Sequence, residues 1–155
     1  MKPGWEKPYA FVCDNVELAE FFIDKAKQDL QDLPRRWCVN IAAGALYSAY
    51  QTFNEKVATG DERVPMTLKA GTSQAGELVN LIRHGAVHFQ QDQGEGATFA
   101  PGQPEPNVTS FWWVNTRHGQ KEFPTDEVLS VLADVAELIR RHCFEQTHTW
   151  YLRFG

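Results

Sequence analysis

A chain of 155 residues, 43% apolar and 23% charged, has the size and composition of one globular domain with a core of its own. No run approaches the roughly 18 to 20 unbroken apolar residues of a membrane span, and the start, MKPGWEKPYAFVCDNVE, lacks a signal peptide's basic and apolar regions, so the expectation is a cytoplasmic protein with no membrane partner. A net charge of -5 argues against indiscriminate nucleic-acid binding, which needs a dominant basic surface, so any such contact has to be local.

After a loose start containing Pro and Gly, DNVE offers a capping box at Asp14, and Ala19, Phe22, Ile23, Ala26 and Leu30 then recur at helical spacing. The first helix is expected over about 15 to 32. Pro34 suits the first turn of a second helix, where a missing N–H costs nothing, and that helix runs to about Val57. Val39, Ala42, Leu46, Ala49, Phe53 and Val57 form one apolar stripe; Trp37, Ile41 and Ala45 form another nearly opposite. A helix apolar on two sides is buried on two sides, and Gly44, Ala45 and Ser48 leave room for another helix, so this is the centre of a bundle or the seam between two subunits.

TGDERVPMTLKAGT reads as a loop with at most a short strand at Val64 to Leu68. Thr72 or Ser73 caps a third helix reaching about Phe89, with Leu78, Ile82, Gly85 and Phe89 on its apolar face and Leu81 beside them. Residues 90 to 110, rich in Gln, Gly and Pro, read as surface loop, and FWWVNTRHGQKEF as a small hairpin whose tryptophans cover one end of the bundle or form a base-stacking platform. The last long helix opens at PTDE, with Thr125 as cap and Asp126 and Glu127 at the positive end of the dipole; Val128, Val131, Leu132, Val135, Leu138 and Ile139 share its apolar face. The sum is an all-α antiparallel four-helix bundle, one domain over 1–155, with a loop and small hairpin inserted at about 90–122 before the last helix.

Chemistry concentrates in LIRHGAVHF, residues 81 to 89. Arg83 and His88 fall about 140° apart on an ideal helix, so they meet on one phosphate only if the helix end opens, Arg83 curls round, or a second copy supplies one of them. Gly85 costs about 1 kcal/mol against Ala in a helix interior, which close approach of a helix or ligand would offset. Val79 and Val87 lie outside the main stripe and point to a subunit contact.

RHGAVH resembles the R-x(4 to 6)-H motif of HEPN domains, in which a polar residue commonly follows the arginine, as His84 does. AKQDLQDL looks like the first helix of such domains and NIAAGALYSAYQTF is similar to their second, and an amphipathic helix follows the motif. The resemblance covers most of the chain apart from the insertion. It implies a homodimeric, metal-independent endoribonuclease of toxin or defence type that needs no cofactor. RNA is then the substrate, and an antitoxin or regulatory protein a further partner. His88 is assigned to acid–base work, Arg83 to the phosphate, and His84 to orienting the site or sharing proton transfer. Some relatives are inactive modules, so a silent helical dimer binding nucleotide or a protein is the alternative.

Other patterns have simpler readings. His84 and His88 at i, i+4 with Glu77 two turns earlier suggest a metal only weakly, since no H-E-x-x-H or C-x-x-C accompanies them. LIRHG and TRHG mimic the R-H-G of histidine phosphatases but lack the large α/β domain. Cys13, Cys38 and Cys143 read as free buried thiols. His142 reads as a core or margin histidine with a hydrogen-bond partner, and Tyr47 and Tyr50 as packing residues. Arg140 and Arg141 suit a helix C-terminus. Ser48 lacks the His and Asp pattern of a nucleophile.

Overall fold

The first helix begins earlier than its capping signal indicates. In the computed structural model, which describes residues 1–28, 32–66, 79–80, 82–83, 96–102, 109–116 and 119–151, α1 spans Glu6–Lys27. Pro8 falls in its first turn, where the absent N–H breaks no intrahelical bond. Tyr9, Val12, Cys13 and Val16 then extend the buried stripe that Ala19, Ile23 and Ala26 continue. Tyr9 explains the early start: its ring has Trp5, Phe53, Trp150 and Tyr151 at centroid distances of 5.5 to 6.3 Å, and its hydroxyl donates to the Thr149 carbonyl at 2.5 Å. Asp14 is thus mid-helix. Its i, i+3 spacing to Glu17 serves a helix interior as well as a cap, and tertiary burial upstream decided between them. The helix stops at Lys27, with Gln28 extended, rather than near 32.

Helix α2 (Asp32–Thr52) takes Pro34 in its first turn as expected and runs into one π-helical turn, Phe53–Val57, closed by Ala58 N–H on the Phe53 carbonyl at 2.8 Å. The short link between α1 and α2 makes them antiparallel neighbours. All six residues of the expected core stripe, Val39 to Val57, are fully buried. Of the second stripe only Ala45 is buried; Trp37 is 58% and Ile41 40% exposed. A short 3-10 turn, Gly60–Glu62, follows, and residues 64–66 are loop.

The expected third helix falls mostly outside the described residues. Positions 79–80 and 82–83 are helical, with Val79 and Ile82 fully buried. Val79 therefore belongs to this chain's core and not to a subunit contact. The inserted segment also differs from expectation. Strand β1 (Gly96–Ala100) arises within the stretch read as loop, and pairs antiparallel with β2 (Phe111–Thr116), which pairs with β3 (Gly119–Pro124). The β2–β3 hairpin matches the sequence reading. Register places Phe99, Trp112 and Phe123 side by side across the three strands. Trp112 is 2% exposed while its neighbour Trp113 is 40% exposed, the alternation a one-sided sheet imposes.

Helix α3 (Thr125–Thr147) starts one residue earlier than a Thr125 cap would give. Pro124 occupies the cap position, and the Thr125 hydroxyl lies 2.8 Å from that of Ser110, both buried. Of the expected core face Val128, Leu132, Val135 and Ile139 are buried, Val131 and Leu138 are half-buried, and Leu129 and Ala136 join the core. The described fold is mostly helical, with three long helices around one core and a small antiparallel sheet against α3; a fourth long helix is not described. Each buried Val, Leu, Ile or Phe contributes about 1.5 to 3 kcal/mol, against about 0 to 1 for an exposed ion pair, so the core dictates the arrangement.

Candidate functional site

Among the described residues the polar side chains that stand out are arginines, and their surroundings differ. Arg83, half-buried, lies with its guanidinium carbon 4.3 Å from the centroid of the Tyr47 ring. Tyr47 projects from the flank of α2 between the core stripe and the exposed Trp37–Ile41 face, because it falls about 80° round from Val39. No ion pair to Arg83 occurs among the described residues. A guanidinium over a ring keeps its in-plane N–H donors outward, so this contact orients Arg83 without neutralising it. Leu81, His84, Gly85 and His88 lie outside the described residues, as do Glu77 and His118. The structure thus places one member of the expected site, and the pairing of Arg83 with His88 or His84 falls outside the described residues.

Two further arginines occupy the first turns of α2. Arg36 sits 6.0 Å from the centroid of Phe99, whose ring is 5.4 Å from that of Trp112. Arg35 lies on the core-facing stripe with Val39, Ala42 and Leu46, and its buried Nε has no acceptor among the described residues; the same holds for the Trp112 indole N–H. Burying an unsatisfied donor costs about 1 to 3 kcal/mol, so such groups mark places where fold and ligand requirements diverge.

Arg140 is the opposite case. Its Nε and one terminal nitrogen donate to the two Glu20 oxygens at 2.8 and 2.9 Å, Glu17 lies 3.9 Å away, and the guanidinium stacks on Trp150 at 4.2 Å. Burial by itself would lower its pKa, but the bonds from Glu20 and the charges of Glu20 and Glu17 raise it. The Trp150 N–H also donates to Glu17 at 3.2 Å. These groups edge a cavity of about 660 Å3 between α1 and α3, floored by Ile23, Ala133 and Ala136. Sequence alone assigns Arg140 to the helix dipole; the bond to α1 is what holds it.

The remaining candidates are structural. His142 donates Nε2–H to the Glu62 carbonyl at 2.8 Å and meets the Phe53 ring edge-on at 6.1 Å, as expected of a core-margin histidine. Tyr50 donates to the Met66 carbonyl at 2.7 Å. All three cysteines are buried and free, and burial raises each thiol's pKa, which keeps it protonated and unreactive. No group of three His, Cys, Asp or Glu able to hold a metal occurs among the described residues, and no helix among them is long and apolar enough to cross a membrane. Tyr47, read from the sequence as a packing residue, is the platform under Arg83. Its aromatic character is visible in the sequence, but its contact with a residue 36 positions on is not.

No protein-family model, curated protein or solved structure matches the chain.

Proposed function

We propose that this protein is a metal-independent endoribonuclease of toxin or defence type, working in the cytoplasm as a homodimer of four-helix, HEPN-like protomers in which a helix between α2 and the sheet carries RHGAVH. The observation that carries this reading is the state of Arg83: aligned on Tyr47 at 4.3 Å and without a carboxylate partner among the described residues. A permanent planar cation held in that way suits two non-bridging oxygens of a phosphodiester.

In the proposed reaction the 2′-oxygen attacks the adjacent phosphorus, the bond from phosphorus to the 5′-oxygen breaks, and the products are a 2′,3′-cyclic phosphate and a free 5′-OH. His88 takes the 2′-OH proton or gives one to the leaving oxygen, tasks that suit an imidazole as a residue type. Arg83 stabilises the charge that builds on phosphorus-bound oxygen, and His84 orients or shares the proton.

Because Arg83 and His88 diverge on one helix, the second copy brings an arginine to a histidine. The exposed stripe of α2 supports such a partner. Trp37 and Ile41 are large apolar side chains in solvent, and Gly44, in helix interior, has nothing within 4 Å of where a Cβ would stand. The described residues give no packing reason for a glycine there, whereas a crossing helix does. The alternative is a silent dimer of the same build that binds nucleotide or a protein regulator.

The test is cleavage of several RNAs in EDTA by the unmodified protein, Arg83→Ala and His88→Ala, with products read for a cyclic phosphate. Metal-free cleavage lost in both variants is the expected result. Equal inertness of all three on every RNA moves the chain to the silent-dimer reading. Trp37→Asp with Ile41→Asp is expected to yield monomers by sedimentation, with cleavage lost alongside.

A further inference from the structure

Arg36 and Tyr47 are eleven residues apart on α2, which on an ideal helix is about 16 Å of rise and only about 20° of rotation. Arg83, lying on Tyr47, and Arg36, lying on Phe99, therefore stand along one flank of the same helix, with Asn40 between them one turn from Arg36. Arg35, about 100° round from Arg36 at the edge of the core-facing stripe, adds a second guanidinium at that end, with a buried Nε that meets no acceptor among the described residues.

The chain carries 20 acidic residues against 15 basic ones, so carboxylates are available to pair with every arginine. Arg140 takes two of them. None is within ion-pair distance of Arg35, Arg36 or Arg83 among the described residues. Two of these three are backed by aromatic rings, which fix a guanidinium's plane while leaving its charge intact. Two ring-supported cations with no ion-pair partner among the described residues, spaced along one helix flank, match a polyanion that repeats its charge along a line.

We propose that this flank of α2 is a track for single-stranded RNA, with Arg35 and Arg36 holding a backbone phosphate at the sheet end while Arg83 holds the scissile one. The distance of about 16 Å corresponds to roughly three to five nucleotides, depending on how fully the strand stacks. The inserted sheet then has a role: through Phe99, backed by Trp112, it positions Arg36 and lengthens the substrate contact. The track rests on the ribonuclease reading for the identity of the Arg83 phosphate, but its own binding can be measured without cleavage.

The experiment is fluorescence anisotropy of labelled oligouridylates of three and twelve nucleotides, using unmodified protein, Arg36→Gln, and the double variant Arg35→Gln with Arg36→Gln. His88→Ala serves as the background if cutting interferes. The double variant is expected to weaken 12-mer binding about tenfold and leave 3-mer binding within twofold. It is also expected to make the salt dependence shallower, by about 0.7 in slope for each phosphate it no longer neutralises. Arg36→Gln, a surface change that leaves the fold intact, and Phe99→Leu are expected to give smaller effects with the same length dependence. Equal binding of the 12-mer by all variants overturns the track, as does a loss that is the same for both lengths or an unmodified chain that binds neither. Length-dependent binding without cleavage under any condition leaves the track standing and removes the catalytic reading. Cleavage with unchanged KM for the 12-mer in the double variant does the reverse.

Discussion

Two arginines of this chain lie over aromatic rings at nearly the same distance, Arg140 on Trp150 at 4.2 Å and Arg83 on Tyr47 at 4.3 Å. Arg140 also grips Glu20 with two hydrogen bonds and has Glu17 at 3.9 Å, so its charge is paired within the fold and it ties α3 to α1. Among the described residues, Arg83 has the ring without the carboxylates. The same side chain on the same kind of platform is a structural tie at Arg140, where α1 brings acids to it, and the proposed anion site at Arg83.

Arg83 is where this contrast can be broken most sharply. Replacing it with alanine is expected to lower RNA cleavage by about a hundredfold to a thousandfold, the range seen when one stabiliser of developing charge is removed. The fold should be destabilised by no more than about 1 kcal/mol, the strength of the ring contact that is lost. Single-turnover kinetics and urea denaturation of the same variant read both. A variant that unfolds readily would make Arg83 a second structural tie.

Arg140→Ala is expected to do the converse, with cleavage kept and stability lowered by about 1 kcal/mol. That figure allows for solvent screening, since the Arg140 and Glu20 side chains are 35% and 37% exposed. Loss of cleavage in a stable Arg140 variant would move the active region to the α1–α3 cavity. Tyr47→Leu takes away the platform and spares Arg83. A threefold to tenfold drop in cleavage is expected, about 0.6 to 1.4 kcal/mol by the strength of such contacts, while Tyr47→Phe keeps most activity.

The Arg140 end also responds to pH. Burial raises the pKa of the Cys143 thiol and the Tyr9 hydroxyl above their ordinary 9.0 and 10.0. The folded chain then holds protons that the unfolded chain releases, so stability is fully present below about pH 9 and declines as pH rises beyond it. Urea midpoints between pH 8 and 11 test this. A flat profile would mean that these groups ionise as readily folded as unfolded. Native thiols are also expected to resist Ellman's reagent until the chain unfolds, and rapid labelling of Cys13 or Cys143 would contradict their burial.

Much of the architecture is legible in the sequence. The stripe from Val39 to Val57, the face from Val128 to Ile139, the hairpin of β2 and β3 and the buried state of the cysteines follow from periodicity and turn chemistry. The start of α1 is not, because Tyr9 is held by Phe53, Trp150 and Tyr151, residues remote in sequence, whereas the Asp14 signal is local. Strand β1 is hidden for the same reason, since Gly96–Ala100 becomes a strand by pairing with Phe111–Asn115. A helical wheel assigns Val79 to a subunit contact because it ranks the faces of one helix and does not know which neighbours lie beside them.

At the site, residue type and spacing nominate Arg83 with His84 and His88, and put Arg83 and His88 on diverging flanks of one helix. They do not distinguish Arg83 from Arg140, since a guanidinium looks the same in sequence whether or not a carboxylate waits for it. The sequence determined which segments turn their apolar sides inward, because that depends on each residue's own transfer free energy and position in a helical or strand repeat. Tertiary structure alone decided that Glu17 and Glu20 meet Arg140, that Tyr47 lies beneath Arg83, and that Phe99 lies beneath Arg36. Those pairings join residues 36 to 123 positions apart, and only packing of the helices and sheet fixes distances across such spans.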